Sequence, residues 1–418
     1  MSTLFLRLPS NFALAALLLL VANSGYAASG VLHAFKTLAA ETPYGGLIRD
    51  TAGNLYGTTL AGGLGNEFCL NGCGSVYKLT AQANGSYTFE ILYQFQGYPS
   101  DGYGPQSVLT LDSAGNLYGT TTWGGAYFGG VAFELSPSQS GAYSYQIIYS
   151  FPVSGACSFG LPVGRLYMDG TGDLFAVTEE GGANCQGAVF KLSPGATSWT
   201  GQILYSFMGT TDGRFPAGGV IPDAHGNLYG TTIYSSPGGG VVYELSPSAG
   251  GSWTQKVLYT FGSRGDGAVP IGELTFDASG NLYGVTQQGG GTGSDGTVFE
   301  LKPSAGGWTE TILHRFNQTD GSLPQDGIIF DAVGSIYGTT YQGGLYNVGV
   351  VYKLTPNGNG GYTESALLNF TGGNDGANPF ATPMFDPAGN LYGTASSGGN
   401  ADNGNAGYGT VFVLAPRP

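Results

Sequence analysis

A seven-residue segment, Gly-Asn-Leu-Tyr-Gly-Thr-Thr with close variants, recurs seven times along the chain. The copies begin at Gly53, Gly115, Gly172, Gly226, Gly280, Gly334 and Gly389. Their aromatic residues are separated by 62, 57, 54, 54, 54 and 55 residues. A nearly fixed period of this length indicates an array of one structural unit. We therefore expect residues 28–418 to form a single domain, although 418 residues would on length alone suggest two or three.

Each repeat contains four short runs with the composition of β-strands. The first run lies between a Pro and an Asp seven residues later, and the second is Leu-Tyr-Gly-Thr-Thr. The third is Gly-x-Val-Phe/Tyr-x-Leu, and the fourth is represented by residues 203–207. Asp-x-x-Gly-Asn, a turn sequence, joins the first two runs. Four strands per repeat, repeated radially, describe the blade of a β-propeller.

The two ends of the chain indicate how the array closes. The seventh repeat stops after its third run, Gly409 to Leu414, and the missing fourth run occurs near the N-terminus as Val31 to Phe35. A ring in which this N-terminal strand completes the last blade leaves no exposed sheet edge. The sequence therefore predicts an all-β, seven-bladed β-propeller of four-stranded blades, with the last blade closed by the N-terminal strand.

The repeated Tyr-Gly-Thr-Thr core resembles that of the GloVer-type bacterial tandem-repeat proteins, which are exported chains with varied anchoring signals. The resemblance covers about residues 31–414, nearly the whole chain after its leader. It implies a secreted, propeller-like protein, and it brings no activity that can be carried over to residues of this sequence.

Residues 1–27 have the pattern of a signal peptide, with Arg7 before an apolar stretch over residues 12–22 and small residues around Ala27. We expect a secreted or periplasmic protein with no membrane span after signal removal, and a retained N-terminal membrane anchor is the alternative. Four cysteines in an exported chain usually pair. Of three pairings, we favour the one that joins Cys69 to Cys73 and Cys157 to Cys185.

The formal net charge is −14, which disfavours nucleic acid and anionic lipid as partners. We expect a monomer. Five Asp-Gly pairs precede the first runs, and their carboxylates could supply Ca²⁺ with oxygen ligands. Since each belongs to a different blade, we interpret them instead as local turn caps, and no cofactor or metal is expected. These aspartates are Asp101, Asp212, Asp266, Asp320 and Asp375.

Two variable residues follow each Thr-Thr run, on the loops that we expect at one face of the ring, called here the first face. Aromatic rings stack on the apolar sides of sugars, and amides bind hydroxyl groups. A ring of recognition positions for a glycan or another cell-surface ligand is one interpretation, and ordinary loop packing is the other. The candidates are Trp123, Tyr234, Gln287, Gln288, Tyr341 and Gln342.

The third repeat departs most from the others and carries the candidates for catalysis. Glu179 and Glu180 are the two variable residues of this repeat, and Arg165 lies where most repeats have small or apolar residues. Glu273 is the other charge at that position. These groups could perform acid–base chemistry, although adjacent strand residues point to opposite faces, so only one glutamate of the pair would face a ligand. A divergent blade held by a disulfide explains the same residues.

The three histidines belong to no recognisable metal site or Ser-His-Asp arrangement. The leading expectation is therefore an exported, non-enzymatic binding propeller or scaffold that recognises a glycan or cell-surface ligand. The alternative is a polysaccharide-acting enzyme, a hydrolase or lyase, that uses carboxylates of the loop face. A purely structural surface protein is the third interpretation.

Overall fold

The computed structural model describes residues 26–153, 157, 160–262, 265–399 and 407–416, with only the backbone of 26–28. Within these ranges every regular element is a β-strand. None of the described residues forms a helix that is long and apolar enough to cross a membrane. The predicted signal peptide lies outside the described residues except for Tyr26 and Ala27.

Seven antiparallel sheets follow one another around a central axis, and each is a blade. The strands up to blade three are β1 (Tyr26–Ala34), β2 (Ile48–Arg49), β3 (Leu55–Thr59), β4 (Ser75–Ala81), β5 (Tyr87–Gln94), β6 (Gly102–Tyr103), β7 (Thr110–Leu111), β8 (Leu117–Thr121), β9 (Trp123–Gly124), β10 (Val131–Pro137), β11 (Tyr143–Ser150), β12 (Pro162–Met168), β13 (Leu174–Thr178), β14 (Ala188–Ser193) and β15 (Thr200–Ser206). Those of blades four to seven are β16 (Arg214–Pro216), β17 (Ile221–Pro222), β18 (Leu228–Tyr234), β19 (Val241–Pro247), β20 (Trp253–Thr260), β21 (Gly267–Phe276), β22 (Leu282–Gly289), β23 (Thr297–Ser304), β24 (Gly307–Arg315), β25 (Ile329–Phe330), β26 (Ile336–Thr340), β27 (Val350–Pro356), β28 (Tyr362–Asn369), β29 (Met384–Phe385), β30 (Leu391–Ala395) and β31 (Thr410–Pro416).

The N-terminal strand closes the ring, as predicted. Strand β1 pairs with β31 in the order β1-β31-β30-β29, with Val31 opposite Phe412 and Ala34 opposite Thr410. The Phe35 N–H continues the ladder by donating to the Gly409 carbonyl at 3.0 Å. Because the first strand of the chain belongs to the seventh blade, no blade is left with an open outer edge at the junction of the two termini.

Buried aromatic pairs join each blade to the next. The Phe that follows the outer strand of one blade meets, edge to face, the aromatic residue of the third strand in the following blade, with ring centroids 5.0–5.3 Å apart. The seven pairs are Phe35–Tyr77, Phe95–Phe133, Phe151–Phe190, Phe207–Tyr243, Phe261–Phe299, Phe316–Tyr352 and Phe370–Phe412. The pair between Phe35 and Tyr77 crosses the ring closure, so the last interface is built like the other six.

The same aromatic residue explains the Gly of the Tyr-Gly-Thr-Thr core. Gly57 lies directly opposite Tyr77 in the antiparallel ladder. A Cβ atom on Gly57 would lie 2.4 Å from the Tyr77 hydroxyl oxygen, so no larger side chain fits beneath the ring. In blade three the opposite pair is Ala176 and Phe190, which is the one departure from Gly at this position.

The Tyr of the core caps the Asp-x-x-Gly-Asn turn. In blade four, the Tyr229 hydroxyl donates to Asp223 Oδ2 at 3.1 Å, beside the Asn227 side-chain amide at 2.7 Å. Burial acts to raise the pKa of Asp223, but these hydrogen bonds and two backbone N–H donors outweigh it and hold the pKa below its ordinary value. Blade three has Phe175 here and no hydroxyl.

Replacement of Tyr229 by Phe is expected to lower the free energy of unfolding by about 1–2 kcal/mol, because a buried hydrogen bond to a carboxylate is lost. Chemical denaturation at pH 7 measures the change. The control is Tyr234→Phe, whose ring is 41% exposed and should change stability by less than about 0.5 kcal/mol. Equal losses in the two variants would contradict the capping role.

Both predicted disulfides are confirmed: Cys69 is bonded to Cys73, and Cys157 to Cys185. The second one ties together two loops of blade three. Disulfides persist in oxidising compartments, so this chain has the cysteine chemistry of a protein outside the cytoplasm.

The innermost strands differ from the prediction of one full strand per repeat. In blades one, two, six and seven the inner strand is only two residues long, whereas β12 and β21 run from the Pro region to the Asp turn. Small residues after the Pro, such as Gly45 and Gly46, pack against neighbouring blades instead of pairing within their own. The two complete inner strands carry the residues described next.

Candidate functional site

A cavity of about 200 Å³ lies on the propeller axis. It opens at the first face, because its wall is formed by the two or three residues after each strand-one Pro and by two residues that follow the Thr-Thr run. The side chains that line it include Tyr44, Gln106, Arg165, Glu179, Ile233, Glu273, Gln325, Asp326 and Phe380. Charged and amide groups thus converge in a wall that otherwise consists mainly of glycine, aliphatic residues and the aromatic pair Tyr44 and Phe380.

Arg165 and Glu273 form an ion pair in this cavity, with 3.6 Å between Nη2 and Oε1. They belong to blades three and five, two repeats apart in sequence. Both residues also line a larger opening of about 610 Å³ that includes Leu274 to Phe276 and Asp326 to Phe330. The pair therefore lies where the cavity of the first face meets the space that leads toward the opposite face of the ring, which carries the Asp-x-x-Gly-Asn turns.

Backbone bulges place these two side chains. The pairing of β12 with β13 is irregular between Val163 and Tyr167, and that of β21 with β22 between Ile271 and Thr275. The residues within a bulge are left out of the ladder and are re-aimed, a device common beside active sites. Here the re-aimed residues include Arg165 and Glu273.

A glycine precedes each of them and requires the left-handed backbone conformation. Gly164 has φ +69° and Gly272 has φ +76°. A Cβ on Gly272 would lie 2.5 Å from Asp326 Cα, and one on Gly164 would lie 2.0 Å from Gly219 N. No side chain fits at either position, so the bulges pack backbone against backbone and hold the charged residues in place.

The Asp326 carboxylate connects three blades beneath the pair. Its Oδ1 accepts the N–H groups of Gly327 at 2.8 Å and Glu273 at 3.3 Å, and its Oδ2 accepts the Thr382 N–H at 3.0 Å. Since its lone pairs are directed to backbone donors, Asp326 positions Glu273.

Burial raises the pKa of Glu273 to about 7, Arg165 opposes the rise, and Asp326 adds to it. A carboxyl group with this pKa exchanges its proton near neutral pH, which is the condition for an efficient general acid or base. Burial, and then repulsion from Glu180, also raises the pKa of Glu179 in the same cavity. Three carboxyl groups, those of Glu179, Glu273 and Asp326, and the Arg165 guanidinium therefore line a small, partly desolvated space.

The structure separates the predicted catalytic candidates. Arg165, Glu179 and Glu273 line the axial cavity, whereas Glu180 is not among its lining residues. Both residues lie just beyond β13, which ends at Thr178, so the strand alternation expected from the sequence does not apply to them, and the loop that leads to β14 places only Glu179 in the cavity wall.

The predicted ligand-binding residues divide in a similar way. Gln287 donates to Gln325 Oε1 at 2.8 Å, and Tyr341 meets Phe380 with ring centroids 6.3 Å apart, so both support cavity-lining residues. Gln288 is exposed, and Gln342 bonds through its backbone to Ser322. Trp123 and Tyr234 stand apart from the cavity wall and contact Tyr103 and Phe215 respectively.

Sequence reasoning missed the residues that directly follow the strand-one Pro. Gln106, Gln325 and Asp326 line the cavity, and Tyr44 stacks on Phe380 with centroids 3.8 Å apart. Burial raises the pKa of Tyr44 to about 12, with a further contribution from Tyr341. These positions vary between repeats although the neighbouring Pro and Asp are invariant. The two residues after each Thr-Thr run vary in the same way, and this variation is the signal that could have identified the positions.

The Asp-Gly carboxylates act locally. Asp101, for example, accepts the Gln96 and Gly102 N–H groups at 2.9 and 2.7 Å and the Tyr93 hydroxyl at 2.8 Å. Across the part of the chain that the structure describes, no three His, Cys, Asp or Glu side chains are grouped as a metal site.

Two further glutamates have a raised pKa, but they lie on outer strands. Burial raises the pKa of Glu310 to about 7, with repulsion from Asp266 added and Arg315 opposing. Burial raises that of Glu364 to about 7, with Asp320 adding to the rise and His314 opposing it. Neither lines the axial cavity, so they serve as controls for Glu273.

These shifts predict that stability falls on both sides of about pH 4–5, although His33, whose pKa burial lowers to about 4, offsets part of the loss on the neutral side. Turn aspartates such as Asp223 have a lowered folded-state pKa, so the stability they contribute above the ordinary value of 3.8 is lost as the pH falls below it. Glu273, Glu310 and Glu364 have a raised folded-state pKa, so the native state loses stability as the pH rises from 4.5 toward about 7. Urea midpoints between pH 3 and 8 test this. The double variant Glu310→Gln, Glu364→Gln should flatten the neutral side; an unchanged slope would contradict the assignment.

The sequence model of the Gloeobacter/Verrucomicrobia repeat matches residues 21–234, 141–332 and 223–418. The chain belongs to this repeat family. No curated protein sequence matches it significantly.

Several solved structures share the fold. The periplasmic gluconolactonase PpgL of Pseudomonas aeruginosa is 16% identical with a TM-score of 0.51, over 81% of this chain and 94% of its own. A putative 6-phosphogluconolactonase of Bacteroides uniformis is 12% identical with a TM-score of 0.52, over 79% and 86%. A fungal alcohol oxidase of the AA5 family, in complex with copper, is 14% identical with a TM-score of 0.53, over 94% and 76%.

At these identities the likeness establishes the fold, and the substrates named are those of the other proteins. The comparisons nevertheless contradict the leading expectation of a non-enzymatic binding propeller. The three solved structures named above, with TM-scores of 0.51–0.53, carry the names of enzymes, so the enzymatic alternative is the better supported one.

Proposed function

We propose that this propeller is an exported, carbohydrate-acting hydrolase whose reaction takes place in the axial cavity, with Glu273 as the proton donor. The observation that carries the proposal is the Arg165–Glu273 pair, held by two bulges at the inner end of the cavity. The disulfides and the leader-like sequence support a secreted or periplasmic location.

The lining supports a hydroxylated ring as the group that enters. Gln106 and Gln325 offer amide donors and acceptors, and the stacked Tyr44 and Phe380 offer an aromatic surface. The volume of about 200 Å³ is below the range of roughly 300–1,000 Å³ that is common for drug-sized ligands. The cavity therefore suits one terminal sugar unit rather than an internal stretch of polymer.

Two carboxyl groups can cleave a glycosidic bond. Glu273 in its acid form gives its proton to the glycosidic oxygen as the bond from that oxygen to the anomeric carbon breaks. Glu179 as a carboxylate takes a proton from the attacking water, whose oxygen forms the new bond to that carbon. The products are two hydroxyl-bearing sugars, and solvent returns both glutamates to their starting states. The Arg165 guanidinium opposes the rise in the pKa of Glu273. Replacement of Arg165 should therefore raise that pKa and move the pH optimum upward.

Opening of a sugar lactone is the second candidate, favoured by the guanidinium of Arg165 at 3.6 Å from Glu273. Here Glu273 as a base would take a proton from water, whose oxygen bonds to the ester carbonyl carbon, and Arg165 would stabilise the oxyanion that develops on the carbonyl oxygen. As this intermediate collapses, the bond from the carbonyl carbon to the ring oxygen breaks, and Glu273 gives its proton to that oxygen, which leaves an open-chain hydroxy acid. A solved structure of this fold is named as a periplasmic gluconolactonase, which is a further reason to test this candidate.

A turnover screen with aryl glycosides and with glucono-lactone tests both candidates, and Glu179→Gln separates them. Glycoside hydrolysis should require Glu179, whereas lactone opening should proceed without it. Turnover of aryl glycosides that falls at least about 100-fold in Glu179→Gln supports the proposal. Lactone turnover unaffected by Glu179→Gln selects the second candidate. If neither substrate class is turned over, the proposed hydrolase is wrong.

A further inference from the structure

Five aromatic side chains are in contact on the first-face loops of blades one and two, with Phe68, Tyr98 and Phe128 in mutual contact at one end and with Tyr103 and Trp123 following from Phe128. Ring centroids are 5.1 Å apart for Phe68 and Tyr98, 5.2 Å for Tyr98 and Phe128, 6.1 Å for Phe128 and Tyr103, and 5.5 Å for Tyr103 and Trp123. The last pair is stacked, and the others meet edge to face. We call these five residues the aromatic row.

The loops that carry the aromatic row are anchored. Phe68 precedes Cys69, which is bonded to the fully buried Cys73. Asn66 donates through its side chain to the Gln96 carbonyl at 2.6 Å, which ties this loop to the loop that carries Tyr98. Surfaces that are ordered before binding lose less conformational entropy when a ligand arrives.

The Trp123 end of the row is fixed by close contact with backbone. A Cβ on Gly104 would lie 2.8 Å from two carbons of the indole six-membered ring, so the ring of Trp123 packs directly on the Gly104 main chain. This contact determines the orientation of the indole.

The aromatic row is accessible to solvent and has apolar neighbours. Phe68 is 39% exposed, and the other members are partly buried. Leu64, Leu70 and Tyr127 beside the row are 64%, 86% and 60% exposed. A contiguous exposed patch of this kind marks a binding surface more often than scattered apolar residues do.

The Trp123 end of the row is linked to the axial cavity by one hydrogen bond, although Trp123 itself does not line the cavity. Gln106, which lines the cavity, donates to the Thr122 hydroxyl at 2.6 Å, and Thr122 directly precedes Trp123. Trp123 is therefore the member of the row from which a bound chain would continue toward Gln106. This continuity distinguishes Trp123 from Tyr234, whose contacts are with Phe215 and Arg214.

We infer that the aromatic row binds successive sugar rings of an oligosaccharide whose terminal unit enters the axial cavity. The inference rests on the proposed hydrolase and names its substrate as a chain of sugars. Apolar sugar faces stack on aromatic rings, and the Tyr98 and Tyr103 hydroxyls, the Trp123 N–H and the Gln106 amide supply partners for sugar hydroxyls.

Binding of β-linked hexasaccharides of glucose, xylose and N-acetylglucosamine tests the inference, with tryptophan fluorescence and calorimetry as readouts. The probes are used with the Glu273→Gln protein so that they are not consumed. We expect one hexasaccharide to bind and to perturb the tryptophan emission, and Trp123→Phe should abolish this change although three other tryptophans remain. Phe68→Ala and Tyr98→Ala should each weaken its binding about tenfold, and Tyr234→Ala, an exposed aromatic of blade four, should leave it unchanged.

The outcomes separate this inference from the proposed function. Weaker hexasaccharide binding in Phe68→Ala and Tyr98→Ala, with unchanged binding in Tyr234→Ala, supports the aromatic row as a distal subsite, whereas turnover of a small aryl glycoside by the wild-type protein tests the proposed function alone. Failure of every hexasaccharide to bind, or binding that Phe68→Ala and Tyr98→Ala leave unchanged, overturns the inference. Binding of an apolar dye alone would assign the patch to an apolar partner and would also overturn it. Far-ultraviolet circular dichroism verifies that each variant is folded.

Discussion

Glu273→Gln should lower kcat by about 10²–10⁴-fold on whichever substrate the wild-type protein hydrolyses, because the amide keeps the size of the side chain but holds no transferable proton. The limb of the pH–rate profile near pH 7 should disappear with it, since burial raises the pKa of Glu273 to about 7. Stopped or continuous rate measurements between pH 5 and 9 give both quantities. The substitution should leave the fold intact because Glu273 N–H, and not its side chain, bonds to Asp326.

The matched control for Glu273→Gln is Glu364→Gln. Burial raises the pKa of Glu364 to about 7 as well, but this residue lies on the outer strand β28 and does not line the axial cavity. Its activity should remain within about twofold of the wild type, since only a group near the reacting atoms transfers their proton. A Glu273→Gln protein that keeps more than a tenth of the wild-type activity would refute the assigned role.

Deletion of residues 28–35 should destabilise the propeller by about 5 kcal/mol or more, a large part of the stability of an ordinary domain. The deletion removes the outer strand of blade seven and the fully buried Phe35, whose loss alone is worth about 3–5 kcal/mol. It also exposes the edge of β31, which favours aggregation. Denaturant unfolding and size-exclusion chromatography measure the two effects.

The converse experiment joins the same strands covalently. Gly30 is opposite Val413, and a Cβ on Gly30 would lie 3.5 Å from Val413 Cγ1. The double variant Gly30→Cys, Val413→Cys should therefore oxidise without large backbone movement and stabilise the protein by about 2–4 kcal/mol. A reducing agent at a concentration that spares the buried native bonds should reverse the gain. Normal stability after deletion, together with no gain from the cross-link, would show that the strand pair is not what closes the ring.

The fold was readable because its determinants are local and repeated. The Gly of each Tyr-Gly-Thr-Thr core, the Asp of each turn and the Phe after each outer strand occupy the same environment in successive blades, so seven copies reinforce one interpretation. The split last repeat gave ring closure, which the β1–β31 pairing confirms. The shortened inner strands were not readable, since residues such as Gly45 and Gly46 respond to the neighbouring blade rather than to their own.

The candidate site was only partly readable. Arg165 and Glu273 were noticed as charges at one repeat position, but nothing in the sequence indicates that blades three and five bring them within 3.6 Å. Gln106, Gln325 and Asp326 were not predicted, because variation after the Pro can be interpreted only once the position of the propeller axis is known. The aromatic row joins Phe68 to Tyr98 and Phe128 through contacts between loops, which have no periodic signature.

By itself the sequence determined the number of blades, the four strand-forming runs of each repeat and the way in which the ring closes, because these depend on spacing and on residues that act within one repeat. It favoured one of three disulfide pairings, which the structure confirms, and the structure decided how long the inner strands are. Only the tertiary structure decided which side chains face the axis and which of them meet. A ring of seven blades brings distant repeats together at its centre, and the backbone bulges at Gly164 and Gly272 then select two charged residues that share the cavity.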